Sequence, residues 1–122
     1  MTQCWGIRGA TTVLDNTADQ ILAATQELLE EMIKVNQISQ DQIVAAWFTT
    51  TQDLDAVFPA RAARQMGWMN VALMCAHEMM VPNALIRCIR VLLLVNTEKS
   101  SHELKYVYLR DAKDLRSQGL CD

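Results

Sequence analysis

The residues best equipped for chemistry in this chain are arginines standing where arginine is costly. In "CIRVLLLVNT", residues 88–97, the apolar run Val91 to Val95 is preceded by Arg90. Strand alternation puts Cys88, Arg90, Leu92 and Leu94 on one side and Ile89, Val91, Leu93 and Val95 on the other. Arg90 thus shares a face with apolar neighbours. A guanidinium there either snorkels to water, pairs with a surface carboxylate or meets an anionic ligand, because leaving it buried and unpaired is expensive. Arg8 has the same setting in "GIRGATT", Arg61 and Arg64 lie one turn apart after Pro59, and Arg116 stands in the tail. Seven of the 11 basic residues are arginine, the side chain suited to bidentate grip on carboxylates, so a small polyanion such as a dicarboxylate is the natural ligand class.

Glu78, in "CAHEMM", has two readings: a counter-ion for one of these arginines, or a carboxylate that holds a substrate hydroxyl or faces developing positive charge. His77 is either a general base or a loop histidine, and no Ser or Cys stands at a recognisable spacing to partner it. Tyr106 and Tyr108 alternate with Val107 and Leu109 as ordinary strand packing would. The chain has no Gly-rich phosphate loop, no pair of catalytic carboxylates and no nucleophile elbow. Its chemistry is therefore that of an arginine-lined pocket without evident acid–base machinery.

The elements that must position these residues follow from periodicity. Residues Cys4 to Ala10 read as a first strand. Thr17-Ala18-Asp19-Gln20 has the form of a capping box, and Ile21, Ala24, Leu28, Met32 and Val35 then repeat at helical spacing, which predicts a long helix over Thr17 to Asn36. "QIVAAWFTTT", residues 42–51, is a buried strand, and Asp53 to Val57 a turn. A short helix opens at Phe58-Pro59 and ends at Gly67. A third strand runs from Met69 to Ala76, a fourth from about Leu85 to Asn96, and "KYVYL" makes a short fifth. Ser100 to Glu103 makes one helical turn, and Asp114 to Ser117 a last polar turn. The fold class is α+β: a five-stranded mixed sheet with one long and one short helix. One sheet face lacks cover, which predicts an oligomer.

Length and composition set the frame. With 122 residues the chain forms a single domain over 1–122, residues 111–122 being a tail. A hydrophobic fraction of 51% against 20% charged excludes a disordered chain. The net charge of −3 offers no field for nucleic acid or an anionic membrane. "MTQCWGIRGATT" carries no secretory pattern and no run is long enough to span a bilayer, so a cytoplasmic protein is expected. Cys4, Cys75, Cys88 and Cys121 lack CxxC spacing and are read as reduced. Cys75 and His77 have no second ligand pair, so no metal site is expected.

Taken together, "GIRGATTV", "LDAVFPARAAR", "CAHEMMVPNALIRCIRVLLLVNT" and "KYVYLRDAKDLR" resemble the small trimeric chorismate mutases of the mixed α/β pseudo-barrel type, in one order from about residue 5 to residue 116. The resemblance implies a homotrimer with active sites in clefts between subunits. It implies the Claisen rearrangement of chorismate to prephenate, on the path to phenylalanine and tyrosine, with no cofactor, metal or covalent intermediate. By that likeness Arg8 binds a substrate carboxylate, Arg90 serves the ether oxygen and the neighbouring carboxylate, and Glu78 takes the ring hydroxyl. Tyr108, Leu73, Met74 and Cys75 border the ligand. Phe58, Ala60 and Arg61 come from the neighbouring chain, with Arg64, Leu115 and Arg116 near the entrance or tail.

Two positions depart from the family pattern. Arg61 stands where Lys is common, and Met74 where a small polar Thr is expected. The alternative function is a trimeric, non-catalytic binding module for a small anionic metabolite. Glu78 separates the two, since a pure anion receptor gains nothing from a carboxylate in its pocket.

Overall fold

A computed structural model describes residues Met1 to Asp114. Its strands are β1 (Gln3–Thr12), β2 (Ile43–Thr50), β3 (Ala72–His77), β4 (Cys88–Thr97) and β5 (Val107–Tyr108), with helices α1 (Ala18–Asn36) and α2 (Ala60–Gln65). Short 3₁₀ turns cover Gln40–Gln42, Ser101–Glu103 and Arg110–Asp114. The strands form one mixed sheet in the order β3-β2-β4-β1-β5. β4 runs antiparallel to both neighbours, while β3 and β5 add in parallel to β2 and β1.

Both helices pack on one face of that sheet. Ile7, Phe48, Val91, Leu93 and Val95 from the strands meet Leu28, Leu29 and Met32 of α1 and Ala60 and Ala63 of α2 in the main core. The approach is closest at Gly9, where an added Cβ would lie 2.5 Å from Met32 Sδ. Only glycine lets the helix seat that deeply.

Thr17 caps α1 as expected, its hydroxyl accepting from Gln20 N at 3.2 Å. The reciprocal half differs. Gln20 Oε1 reaches past Thr17 to the N–H groups of Leu14 and Asp15, at 3.1 and 2.9 Å, so it ties the incoming loop instead of closing the box. α2 ends through Gly67, at φ 90°, whose N–H meets Arg64 O.

β1 runs on to Thr12, past the expected Ala10, and the three larger departures from the expected strand limits each have a local reason. β3 begins at Ala72 and not Met69, because the turn leaving α2 sinks Trp68 into the core first. β4 begins at Cys88 and not Leu85, because Arg87 is left-handed at φ 46° with its N–H bound to Asp53 Oδ2 at 2.9 Å. β5 is only two residues long, and the chain turns left-handed at Arg110, φ 53°.

Among the described residues, few elements cover the other sheet face. Trp47, Met74 and Leu92 lie on it at 39%, 63% and 37% exposure. Only its far end is closed, where Ala10, Cys88 and Ala112 bury one another with Leu85 and Tyr108 against them. Among the described residues, no helix is long and apolar enough to cross a membrane.

Candidate active site

Arg90 is the third residue of β4, and alternation aims it at the bare face while Ile89 and Val91 enter the core. The ladder fixes its neighbours: Thr49 of β2 on one side and Ala10 of β1 on the other. The start of β4 is pinned by Cys88 N donating to Thr51 Oγ1 at 2.9 Å and by a backbone bond from Val13 N to Arg87 O at 3.0 Å. An arginine held by two flanking strands points in a set direction.

Glu78 follows β3 directly. Its N–H bonds Thr50 O at 2.8 Å, which prolongs the ladder by one residue and keeps Glu78 on the bare face. Its Oε1 accepts from Arg90 Nη1 at 2.9 Å, and its Oε2 accepts from the Thr49 hydroxyl. The ion pair is only partly open to water, with side-chain exposures of 28% for Arg90 and 23% for Glu78. A cation and an anion thus sit side by side in a half-dry site, where fixed charges act more strongly than in bulk water.

Arg8 of β1 stands opposite Leu92 on the same face and borders a cavity of about 630 Å³ that also touches Trp5, Gly6 and Tyr106. Tyr108 of β5 pairs with Ala10, one strand from Arg90. The strand carrying it is secured from below by Asn36 at the end of α1. That buried amide accepts from Lys105 N at 2.7 Å and donates to Lys105 O at 2.9 Å. Arg8, Glu78, Arg90 and Tyr108 therefore share one sheet face.

The remaining candidates gather elsewhere. Phe58, Ala60, Arg61, Arg64, Leu73, Met74 and Cys75 line a groove of about 980 Å³ between α2 and the outer edge of the sheet. Alternation along β3 turns Leu73 and Cys75 towards the helix side, in register with Ala46 and Phe48, and Met74 towards the bare face beside Trp47. Burial pushes the Cys75 thiol up from its usual pKa, against the smaller opposing effects of the Ala60 backbone and the Arg64 charge. Phe58, an aromatic at 74% exposure, stands at the rim with no cover from the described residues. Within one chain, then, the candidates form two separate groups, one anionic–cationic on the sheet and one groove at its edge. Leu115 and Arg116 lie outside the described residues.

His77 is engaged with its own strand neighbour, its Nδ1 lying 3.2 Å from Thr50 Oγ1. Thr49, which touches Glu78, was not singled out from the sequence. Its hydroxyl in an otherwise apolar strand was visible, but its place beside Arg90 depends on a strand order that local patterns do not contain.

Comparison with known proteins gives the class to which this fold belongs. Residues 4–118 match the sequence model of the family described as chorismate mutase type I. The chain therefore belongs to that family, isomerases of aromatic amino-acid biosynthesis. It is 48% identical over 112 residues to chorismate mutase AroH of Thermus thermophilus, covering 91% of this chain and 92% of that protein. To chorismate mutase AroH of Bacillus subtilis it is 42% identical over 112 residues, covering 91% and 88%. A solved structure of a chorismate mutase from Clostridium thermocellum matches with a TM-score of 0.88 and 57% identity, over 89% of this chain and 97% of that one.

Proposed function

We propose that this chain, in the cytoplasm, rearranges chorismate to prephenate in sites completed between the subunits of a homotrimer. One observation carries the reading: Arg90 and Glu78 hold opposite charges 2.9 Å apart on a sheet face that the described residues leave largely uncovered. The reaction is intramolecular. One carbon–oxygen bond of the enolpyruvyl ether breaks while a carbon–carbon bond forms, and the electrons move around a ring of six atoms within the substrate.

What a protein contributes to such a step is geometry and field. Chorismate carries two carboxylates, and its reactive folded shape is a minority form in water. Arg8, with Arg61 and Arg64 from the groove, anchors the carboxylates so that the reacting carbons are held close, converting a conformational search into a fixed approach. As the ether bond stretches, negative charge grows on its oxygen and positive charge spreads over the carbon ring. Arg90 faces the first, and Glu78 takes the ring hydroxyl and faces the second. Both interactions strengthen on the way to the transition state, which is the condition for raising the rate and not merely the affinity. Tyr108, Leu73, Met74 and Cys75 wall the ligand.

The bare face supports the assembly. A second copy that covered Trp47, Met74 and Leu92 would remove apolar surface from water. It would also bring a groove lined by Phe58, Ala60 and Arg61 up to the Arg90 face. The test is direct: purified protein mixed with chorismate should consume its absorbance and yield prephenate, and a sizing column should show three chains. A correctly assembled protein that leaves chorismate intact overturns the reading.

A further inference from the structure

The geometry points to Thr49 as a positioning residue for the Glu78 carboxylate, an assignment that rests on the chorismate mutase reading above. Thr49 lies opposite Arg90 in the β2–β4 ladder, so both side chains rise from the same sheet face. The Thr49 hydroxyl donates to Glu78 Oε2 while Arg90 Nη1 reaches Oε1 at 2.9 Å. Each carboxylate oxygen is thereby held from a different strand. The next residues in register offer no substitute, since Ala76 beside Thr49 and Ala10 beside Arg90 end in methyl groups.

These two anchors behave differently when a ligand arrives. Arg90 is the group that the ether oxygen and carboxylate of the substrate draw upon, so its hold on Glu78 is shared during the reaction. Thr49 is neutral and aimed at Glu78, and its hold persists. Without it, Glu78 would follow the Arg90 guanidinium or swing among rotamers, and its charge would no longer sit where the ring becomes positive. Preorganised charge is effective because it need not be rearranged as the barrier is crossed. Thr49 acts through Glu78 and not on the substrate.

Steady-state turnover of chorismate by the assembled protein tests this with four variants: Thr49→Val, Thr49→Ser, Glu78→Ala and the double Thr49→Val/Glu78→Ala. A hydrogen bond to a charged group sets the scale, so Thr49→Val should lower kcat by about ten- to a hundredfold with KM changed less than about threefold. Thr49→Ser, which keeps the hydroxyl, should restore kcat to within about threefold. On a Glu78→Ala background Thr49→Val should cost nothing further, because its target is gone. A Thr49→Val enzyme at the wild-type kcat, or a loss that multiplies with that of Glu78→Ala, overturns the assignment. Should Thr49→Val not assemble, Thr49→Ala makes the same deletion and is read the same way. Wild type inert towards chorismate would bring down the functional reading itself, whereas active wild type with an indifferent Thr49→Val brings down this inference alone.

Discussion

Arg90 Nη1 and Glu78 Oε1 meet at 2.9 Å although a whole strand, β2, lies between β4 and β3. The span closes because Glu78 continues the β3 ladder by one residue and then leans back across Thr49. Neither charge depends on a long loop for its place. The pair is set by sheet register, which is the stiffest means this fold has of aiming two side chains.

Replacing Arg90 by alanine removes the cation at the breaking bond and leaves Glu78 with its Thr49 contact alone. Deleting one neutral oxyanion donor already costs about 10²–10³ in rate, so kcat/KM of Arg90→Ala should fall by about 10³-fold or more. Chorismate consumption measures it, with circular dichroism and sizing to show an unchanged fold. A variant within tenfold of wild type would take Arg90 out of the chemistry.

If the two half-sites meet between chains, separately inactive proteins should rescue one another. Arg90→Ala spoils the sheet half, and the double variant Arg61→Ala/Arg64→Ala spoils the groove half. Unfolded together in equal amounts and reassembled, they should regain activity, since random mixing leaves about one interface in four with both halves intact. Mixed chains as inactive as their parents would place each site within a single subunit.

Cys75 makes a prediction in pH. Burial raises its thiol pKa, so the folded chain keeps the proton to a higher pH than the unfolded chain does. The unfolded state then binds fewer protons over that window, and stability falls as pH climbs from the ordinary thiol range through the raised value. Denaturant titrations should show this alkaline decline, and Cys75→Ala should show less of it. At neutral pH the thiol stays protonated, so iodoacetamide should modify exposed Cys4 well before Cys75.

The seat of α1 on β1 can be tested at Gly9. Alanine there would place Cβ against Met32 Sδ and within 3.1 Å of Leu28 Cδ1. Met32 can shift, but it is fully buried, so the change should cost about 1–3 kcal/mol by denaturant unfolding at a fixed protein concentration. Activity at low temperature should survive, because Arg8, Glu78 and Arg90 rise from the opposite face.

The fold was legible where one segment decides its own structure. The α1 stripe, the Thr17 cap, the Gly67 exit and the alternation that aims Arg90 outward all follow from residues within a few positions. What escaped was fixed between segments. The late start of β4 depends on Asp53 reaching Arg87 from another loop, and the true partners of Gln20 lie in the incoming loop. Chemistry divided in the same way. Arg8, Glu78 and Arg90 stood out as charges in apolar surroundings, Arg61 and Arg64 as a pair one turn apart, and family likeness supplied the uncharged groove residues. Thr49 carries no charge to betray it, and its meaning appears only when β2 is known to lie between β3 and β4.

Trp47 is half-submerged on the same sheet face that bears Arg90, so docking of a companion over that face would change its surroundings. Its fluorescence should shift to the blue as concentration rises, and under the shared-site arrangement turnover per chain should climb along the same curve. Were that so, abundance would become a control on catalysis: freshly made copies would be mute until they found companions, and an overly diluted solution would fall silent.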